Sequence, residues 1–446
     1  MIGFSRAHRD PAMMRNIGGM IKRGLAEVKY AEWSKEELIK RIEQLENGVG
    51  SVESSRHTSS TQVHLKPDTS APTPKKAKKQ FAFHEQHQRF IAIKFAYLGW
   101  NYSGLAYQYE PTPLPTVEQC IVEALAKAKL IEKADPDCCG FSRCGRTDRG
   151  VSAMNQVISL RVRSQLSPEA QQKQTNDDKE LPYMLILNLM LPTDIRVTAI
   201  CLRPPKDFDA RFLCLYRHYR YFFFSEGLDI DLMKQGAKFY EGVHDFRNFC
   251  KLDGSKQITN FMREVHGASI CHLKDDIWYL DLKGLAFLWH QVRCMMAILF
   301  MVGQKLEEPS IVTAMLDILK YPARPVYEMA NDIPLVLYNC HYPQMEWIES
   351  DLRAPKFYAQ FRGMLSDYRL KLNMAKLMDE WYIGGLFQQN TTIHGGSVNV
   401  GDGCGRKFKK YTPLAERKVG ETPDVVNQRY LERKARKEQA IDEPTV

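Results

Sequence analysis

The segment from Gly140 to Ala153 has the sequence GFSRCGRTDRGVSA, with Asp148 near its centre. The two glycines that flank Arg-Thr-Asp-Arg let the backbone turn tightly and approach a ligand closely. A capping box at Thr116 predicts a helix before this segment, and alternating apolar residues from Ile158 predict a half-buried strand after it. The pattern therefore predicts a tight loop that presents Asp148 between a helix and a strand. On composition alone, an Asp in such a loop most often caps a turn.

A second informative residue is Arg293, the only formally charged residue between Gly284 and Gln304. This stretch approaches membrane-spanning length, but the polar residues in its middle favour an apolar helix buried in a protein core. A buried guanidinium needs a carboxylate or phosphate partner. Residue types alone leave two interpretations open, a structural ion pair and an active-site Arg that holds an ionised acid.

Composition limits the class of protein. The chain has 446 residues, 44% of them hydrophobic and 26% charged, which excludes wholesale disorder and fibrous repeats and suggests two or three domains. Its net charge of +9 modestly favours a polyanionic partner. The 11 cysteines include no C-x-x-C pair, which favours reduced intracellular thiols over disulfides and predicts no metal site.

Strand and helix patterns mix without strict alternation, so we expect an α+β fold with mostly antiparallel pairing. Residues 1–88 are predicted to form a basic arm with a short amphipathic helix from Ser34 and a disordered linker. The basic run Pro74–Lys79 in the linker indicates either a nuclear-import signal or a solvated segment. The first 30 residues faintly resemble a mitochondrial presequence, although a basic disordered arm is favoured.

Four motifs in order resemble the TruA family of tRNA pseudouridine synthases, and together they span roughly residues 90–345. They are GRTDRGVSA around Asp148, LPTDIRV (Leu191–Val197), FDARFLCLYRHYRY (Phe208–Tyr221) and AFLWHQVR (Ala286–Arg293). The resemblance implies an isomerase with the pseudouridine synthase fold, two lobes around a mostly antiparallel sheet with a central catalytic cleft. It places the catalytic domain at 89–345, with a lobe boundary near 200–210, and a C-terminal extension with a basic tail at 346–446.

The resemblance also assigns roles to individual residues. Asp148 is the expected nucleophile, Arg293 its ion-pair partner, and Tyr219 the ring that stacks on the target uracil. Arg146 is expected to help hold the extruded nucleotide, and Leu335, in NDIPLVLY, to line the pocket. The reaction moves no hydride, electron or phosphate, so no cofactor and no metal are expected.

Other segments resemble the eukaryotic branch of the family, which acts on uridines 38 and 39 of the tRNA anticodon stem-loop. We therefore expect tRNA as the partner, a homodimer, no membrane association, and a nuclear and cytoplasmic location with a possible mitochondrial pool. Lys75–Lys79, Arg406–Lys410 and Arg429–Lys437 are candidate tRNA contacts or solvated tails. Two alternatives stay open: a relative that modifies other tRNA uridines, such as 27 and 28, and a tRNA-binding protein without catalysis.

Overall fold

The computed structural model describes Ser34 and residues 81–351, 354–384 and 396–442. The predicted amphipathic helix, the linker with its basic run Pro74–Lys79 and the presequence-like segment lie outside the described residues. The import signals and the cellular location therefore stay predictions.

A ten-stranded sheet organises the described chain, in the order β10-β4-β1-β3-β9-β5-β8-β7-β6, with the short β2 paired to β3. Its strands are β1 (Gln88–Tyr97), β2 (Ser142–Arg143), β3 (Ser152–Arg163), β4 (Ile195–Cys201), β5 (Tyr216–Phe224), β6 (Gly242–Asp245), β7 (Met262–Lys274), β8 (Ile277–Gly284), β9 (Leu335–His341) and β10 (Ile348–Glu349). Its helices are α1 (Val117–Lys127), α2 (Pro168–Gln171), α3 (Tyr183–Met190), α4 (Ile230–Lys238), α5 (Gln291–Gly303), α6 (Ile311–Leu316), α7 (Pro355–Met378) and α8 (Pro423–Asp442).

The first half of the sheet has β1 at its centre, paired antiparallel with β3 on one side and β4 on the other. The predicted capping box is present, since the Thr116 hydroxyl accepts a hydrogen bond of 3.1 Å from the Gln119 backbone and starts α1. α3 packs on β4 and on α1. The buried side chains of β1 alternate with partly buried ones along much of its length, and the strand is the core of this half.

The second half is an antiparallel meander in which β5 pairs with β8 and β8 with β7. The polar run Lys274-Asp275-Asp276 between Ile270 and Leu282 predicts a hairpin, and the β7–β8 hairpin does turn at Asp275 and Asp276. α4 packs on β7 and on α5. Every residue of α5 except Arg293 is buried, so this helix forms the interior of the second half.

The strand β9 joins the two halves at the middle of the sheet. It pairs in parallel with β3 and antiparallel with β5. The α+β class with a mostly antiparallel sheet is thus confirmed, with one parallel ladder at the junction. The register pairs Ser152 with Val336, which brings the loop that carries Asp148 beside the residues that lead into β9.

The C-terminal residues pack on this core. A two-stranded ribbon, β11 (Ser397–Val398) with β12 (Arg406–Lys407), is tied to the end of α5 because Gln304 donates to the Ser397 carbonyl at 3.0 Å. In contrast, Phe357 is the only buried residue of α7 among those described. No described helix is both long and apolar enough to cross a membrane.

Candidate active site

The loop that carries Asp148 is fixed by hydrogen bonds to β1 and to the segment that follows β1. The Thr147 hydroxyl and the Tyr97 hydroxyl are 2.6 Å apart, and the Leu105 backbone donates to the Thr147 carbonyl at 3.2 Å. The Asp148 carbonyl accepts from the Val151 backbone at 3.2 Å, which closes the turn. These bonds fix the backbone on both sides of Asp148.

Gly150 explains one of the two glycines in the motif. Its φ is +82°, in the left-handed region, and a Cβ there would lie 2.8 Å from Asp332 Cγ. The left-handed φ therefore favours Gly at this position, and the Asp332 side chain would have to shift to admit a Cβ. This contact places Asp332 beside the Asp148 loop.

Arg217 on β5 ties three separate segments together at the same place. Its guanidinium donates to the carbonyls of Cys144, Leu285 and Arg211 at 2.6, 2.6 and 2.9 Å. Cys144 begins the catalytic loop, and Leu285 begins the segment that leads into α5. Arg217 was not singled out by the sequence analysis, although it stands two residues before Tyr219 in the RHYRY motif.

The Asp148 carboxylate is half-buried, with 32% of its side chain exposed. Burial raises its pKa above the ordinary value of 3.8, because the charged form loses hydration. The positive charge of Arg293 is the largest opposing influence on this pKa, followed by the Trp289 side chain, while the charge of Asp332 raises it further.

Arg293 lies in the site but does not form the predicted ion pair. Among the described residues, no Arg293 nitrogen is within the 4.0 Å that defines an ion pair with Asp148. Its Nε instead donates to the Ala330 carbonyl at 2.7 Å, and its own carbonyl accepts from the Ala330 backbone at 3.1 Å. Arg293 thus acts on Asp148 through its charge and also fixes the segment before β9.

The predicted helix begins later than its apolar pattern indicates. It starts at Gln291 because His290 has a φ of +61°, which ends any helical conformation before it. The residues before it are fixed by other bonds: the Gln291 side chain accepts from the Leu288 backbone at 2.8 Å, and the Trp289 carbonyl accepts from the Lys251 backbone at 3.0 Å. Arg293 is consequently in the first turn of α5, where the helix dipole disfavours a cation.

His290 is the side chain that contacts Asp148. Its Nε2 lies 3.4 Å from Asp148 Oδ2, and 9% of the side chain is exposed. Burial and the nearby charges of Arg293, Lys251 and Arg324 lower the pKa of His290 to about 4, so the ring is neutral at pH 7. Sequence reasoning passed over this residue, because a lone His in an apolar stretch is not distinctive.

Tyr219 reaches the same site from β5. Its ring is 8% exposed and contacts Phe287 edge to face, with ring centroids 5.2 Å apart. Phe287 belongs to the segment 285–290 that also carries Trp289 and His290, so one segment contacts both Tyr219 and Asp148. Burial raises the pKa of Tyr219 well above its ordinary value, which keeps the phenol neutral.

The two remaining predicted residues differ in their surroundings. Leu335 is buried at the start of β9, opposite Tyr221 of β5, and its backbone donates to the Asp332 carbonyl at 3.0 Å. Arg146 is exposed on the catalytic loop; burial raises the pKa of nearby Glu118, and the charge of Arg146 is a minor opposing influence. Whether they contact a nucleotide stays a prediction.

The C-terminal ribbon contributes to the site, which the sequence did not indicate. A cavity of about 130 Å³ lies between Arg293, the segment before β9 and the C-terminal ribbon. Val400 and Arg406 line it from the ribbon. The other lining residues are Arg293, Glu328, Met329, Asn331 and Asp332. The Asn331 backbone donates to the Val400 carbonyl at 2.7 Å. Within residues 81–351, 354–384 and 396–442, no cluster of three or more His, Cys, Asp or Glu side chains is arranged to hold a metal.

Comparisons with known proteins agree with this site. Residues 237–343, which include β6 to β9 and the helices α5 and α6, match the family model described as tRNA pseudouridine synthase. The chain is 50% identical to a Saccharomyces cerevisiae protein named tRNA pseudouridine(38/39) synthase, over 92% of this chain and 93% of that protein. Proteins of the same name from Homo sapiens and Mus musculus are 38% and 40% identical, over 76% and 70% of this chain and 73% and 68% of theirs. With one relative matched over nearly its whole length and the motif residues gathered around Asp148, the chain belongs to the TruA-type family of tRNA pseudouridine synthases.

Proposed function

We propose that this chain isomerises uridine to pseudouridine at positions 38 and 39 of the tRNA anticodon stem-loop. The observation that carries the proposal is a fixed loop that presents Asp148 to the segment 285–290, which also contacts the buried Tyr219 and leads into the first turn of α5 with Arg293. The names of relatives that are 38–50% identical support the same positions.

The reaction breaks the N1–C1′ bond of uridine, turns the base, and forms a C5–C1′ bond; N1 gains a proton and C5 loses one. A stacked base cannot turn within a stem, so it must first be extruded into a pocket. Tyr219 offers the extruded uracil an aromatic face, and stacking of this kind contributes about 1–3 kcal/mol per base. Arg146 is exposed on the same loop as Asp148, and we expect it to help hold the extruded nucleotide.

The Asp148 carboxylate must be ionised to act as a nucleophile. Half-burial works against ionisation, whereas the charge of Arg293 favours it without forming a contact that the substrate would have to break. No reactive step requires a group from outside the chain, because the reaction rearranges bonds within one nucleotide.

Pseudouridine mapping on in vitro tRNA tests the proposal. The wild-type chain should modify uridines 38 and 39, and Asp148→Asn should modify neither while it binds tRNA with unchanged affinity, because phosphate contacts dominate that affinity. Modification confined to positions 27 and 28 would support the related synthase instead. Binding without any modification by the wild type would support the non-catalytic alternative.

We also infer that the enzyme is a homodimer assembled through α7. This helix exposes apolar side chains along its length: Tyr358 57%, Leu365 59%, Leu370 62%, Leu372 56% and Met374 56%. Soluble monomers rarely leave so large an apolar surface open. Tyr358, Leu365 and Leu372 are seven residues apart, the repeat by which two helices pack against each other. A dimer would also double the basic surface available to one tRNA.

Light scattering with and without tRNA tests the oligomeric state. The wild-type chain should have the mass of two subunits, and the double variant Leu365→Asp, Leu372→Asp should have the mass of one. Leu431→Asp on α8, where the side chain is 51% exposed, is the matched control and should stay dimeric. A wild-type monomer that binds tRNA through its basic tails would contradict the inference.

A further inference from the structure

His290 belongs to no role that the catalytic motif assigns, yet its ring lies beside Asp148, whose carboxylate is also influenced by a hydrogen bond from the Trp289 side chain. Its contact, Nε2 to Asp148 Oδ2 at 3.4 Å, is the one ion-pair contact that Asp148 makes among the described residues. The backbone of His290 is in the left-handed region, with φ +61°. A non-glycine residue in this conformation is uncommon and persists only where its surroundings impose it.

The backbone of His290 is fixed from both sides. Its carbonyl accepts the first hydrogen bond of α5, from the Cys294 backbone at 3.0 Å. Its ring packs on that of Trp289 with centroids 4.5 Å apart. The side chain therefore has little freedom to turn away from Asp148.

The surroundings of the two ring nitrogens of His290 indicate which one carries the proton. Among the described residues, buried Nδ1 has no hydrogen-bond partner. An N–H at that position would be a buried, unsatisfied donor, whereas Nε2 has a carboxylate oxygen of Asp148, an acceptor, 3.4 Å away. The neutral tautomer with hydrogen on Nε2 is therefore favoured over the other.

A second proton on the ring is disfavoured. Three cations face it from three different segments: Arg293 from α5, Lys251 from the loop after β6, and Arg324 from the segment after α6. Together with burial they keep the imidazole neutral, while Asp332 is the acid that faces Asp148 itself. His290 thus offers an N–H without adding a charge.

We propose that His290 is a positioning residue that donates its Nε2 hydrogen to Asp148 and holds the carboxylate in the orientation required for attack. The 3.4 Å separation is longer than an ordinary hydrogen bond, so the proposal requires the carboxylate to turn toward Nε2 in the reactive complex. Arg293 supplies the charge that keeps Asp148 ionised, and His290 supplies its direction. The assignment rests on the proposed function of Asp148 and adds a residue to it.

Two substitutions of matched shape separate donation from packing. His290→Gln and His290→Met have unbranched side chains of similar length and the same strain at a left-handed position, but only Gln carries an N–H near the place of Nε2. We expect Met to lower kcat by about 10- to 100-fold, the effect of removing a hydrogen bond to a charged group, and Gln to recover most of the loss. The tRNA dissociation constant should stay at the wild-type value for both.

The pH profile provides a second readout. Without the donor, the ionised form of Asp148 is less stable, so the acid limb of the kcat profile should move to higher pH in His290→Met and not in His290→Gln. His290→Asn serves if either variant unfolds, because Asn tolerates the left-handed conformation while its shorter amide does not reach Asp148. It should resemble Met in both readouts.

His266→Gln is the control for the chemistry of the change itself, because His266 makes a comparable contact with Glu264, 3.7 Å, on the surface. It should leave kcat unchanged. Equal kcat for the Gln and Met variants of His290, or an acid limb that does not move in His290→Met, would overturn the proposal. Loss of activity in Asp148→Asn would still support Asp148 as the nucleophile in that case. The role of His290 can therefore be refuted without refuting the proposed function.

Discussion

Replacing Arg217 by Met should loosen the catalytic loop without altering any group that contacts the substrate. Met retains an apolar stem of similar length, so packing along β5 is largely conserved. What is lost is the set of three hydrogen bonds from the guanidinium to the carbonyls of Cys144, Leu285 and Arg211.

The magnitude follows from the exposure of the three acceptors. Leu285 is 47% exposed and Arg211 is also exposed, so water replaces those two bonds at little cost. Cys144 is fully buried, and its carbonyl loses a bond to a charged donor, which is worth about 1.5–3 kcal/mol. At roughly 2 °C per kcal/mol for a unit of this size, the melting temperature should fall by about 3–6 °C.

The catalytic effect should be larger than the loss of stability suggests. Cys144 begins the loop that carries Asp148, and a displacement of about 1 Å at a reacting group lowers the rate by about 10²-fold. We therefore expect kcat on a U39-containing tRNA to fall by about that factor, with unchanged tRNA affinity. Arg220→Met is the control, since Arg220 lies on the same strand and pairs with Asp281 at 3.0 Å. Equal losses of kcat in the two variants, or a wild-type kcat in Arg217→Met, would refute this reasoning.

Three further outcomes are expected. Asp148→Asn should melt at a higher temperature than the wild type at pH 7. Because the pKa of Asp148 is raised, the folded state binds its proton more tightly than the unfolded state does. Above that pKa the ionised carboxylate therefore destabilises the fold, and Asn removes this effect. The gap should narrow as the pH falls through the raised pKa, which melting curves across a pH series measure. For the same reason the acid limb of kcat should lie above pH 3.8, the ordinary value for Asp, and a limb at or below it would contradict the burial of Asp148. Combining Arg293→Met with Asp148→Asn should show a coupling of roughly 1–2 kcal/mol in chemical denaturation, since the two interact through charge; zero coupling would mean that Arg293 does not act on Asp148.

Local patterns predicted what depends on neighbours in the sequence. The cap at Thr116, the β7–β8 hairpin and the loop around Asp148 each rest on spacing within a few residues, and each is present. The predicted start of the helix that carries Arg293 was wrong, because the position of this start depends on tertiary contacts rather than on neighbouring residues. Apolar periodicity continues from Gly284 to Gln304, and only the left-handed backbone of His290, set by tertiary contacts, separates the extended segment from the helix.

The sequence patterns did not predict contacts between segments that are distant in the chain. A buried Arg requires a partner, and Asp148 was the expected one, but Ala330 offers a carbonyl at 2.7 Å and a lone carbonyl leaves no sequence signal. The contribution of Val400 and Arg406 to the site cavity likewise comes from a region whose composition indicates only a polar, basic tail. His290 likewise left little signal in the sequence, because a lone His in an apolar stretch is not distinctive.

The energetics of the site explain why so many groups that never touch the base are built around it. Half-burial of Asp148 destabilises its charged form, and a cation in the first turn of α5 opposes the helix dipole, so both functional charges lower the stability of the fold. Neutral hydrogen bonds from Tyr97 and the charged bonds of Arg217 offset this cost, and they do so on the backbone of the loop, away from the carboxylate. Stabilising the loop fixes the backbone of Asp148, while the charge of Arg293 favours the ionised carboxylate without a direct ion pair.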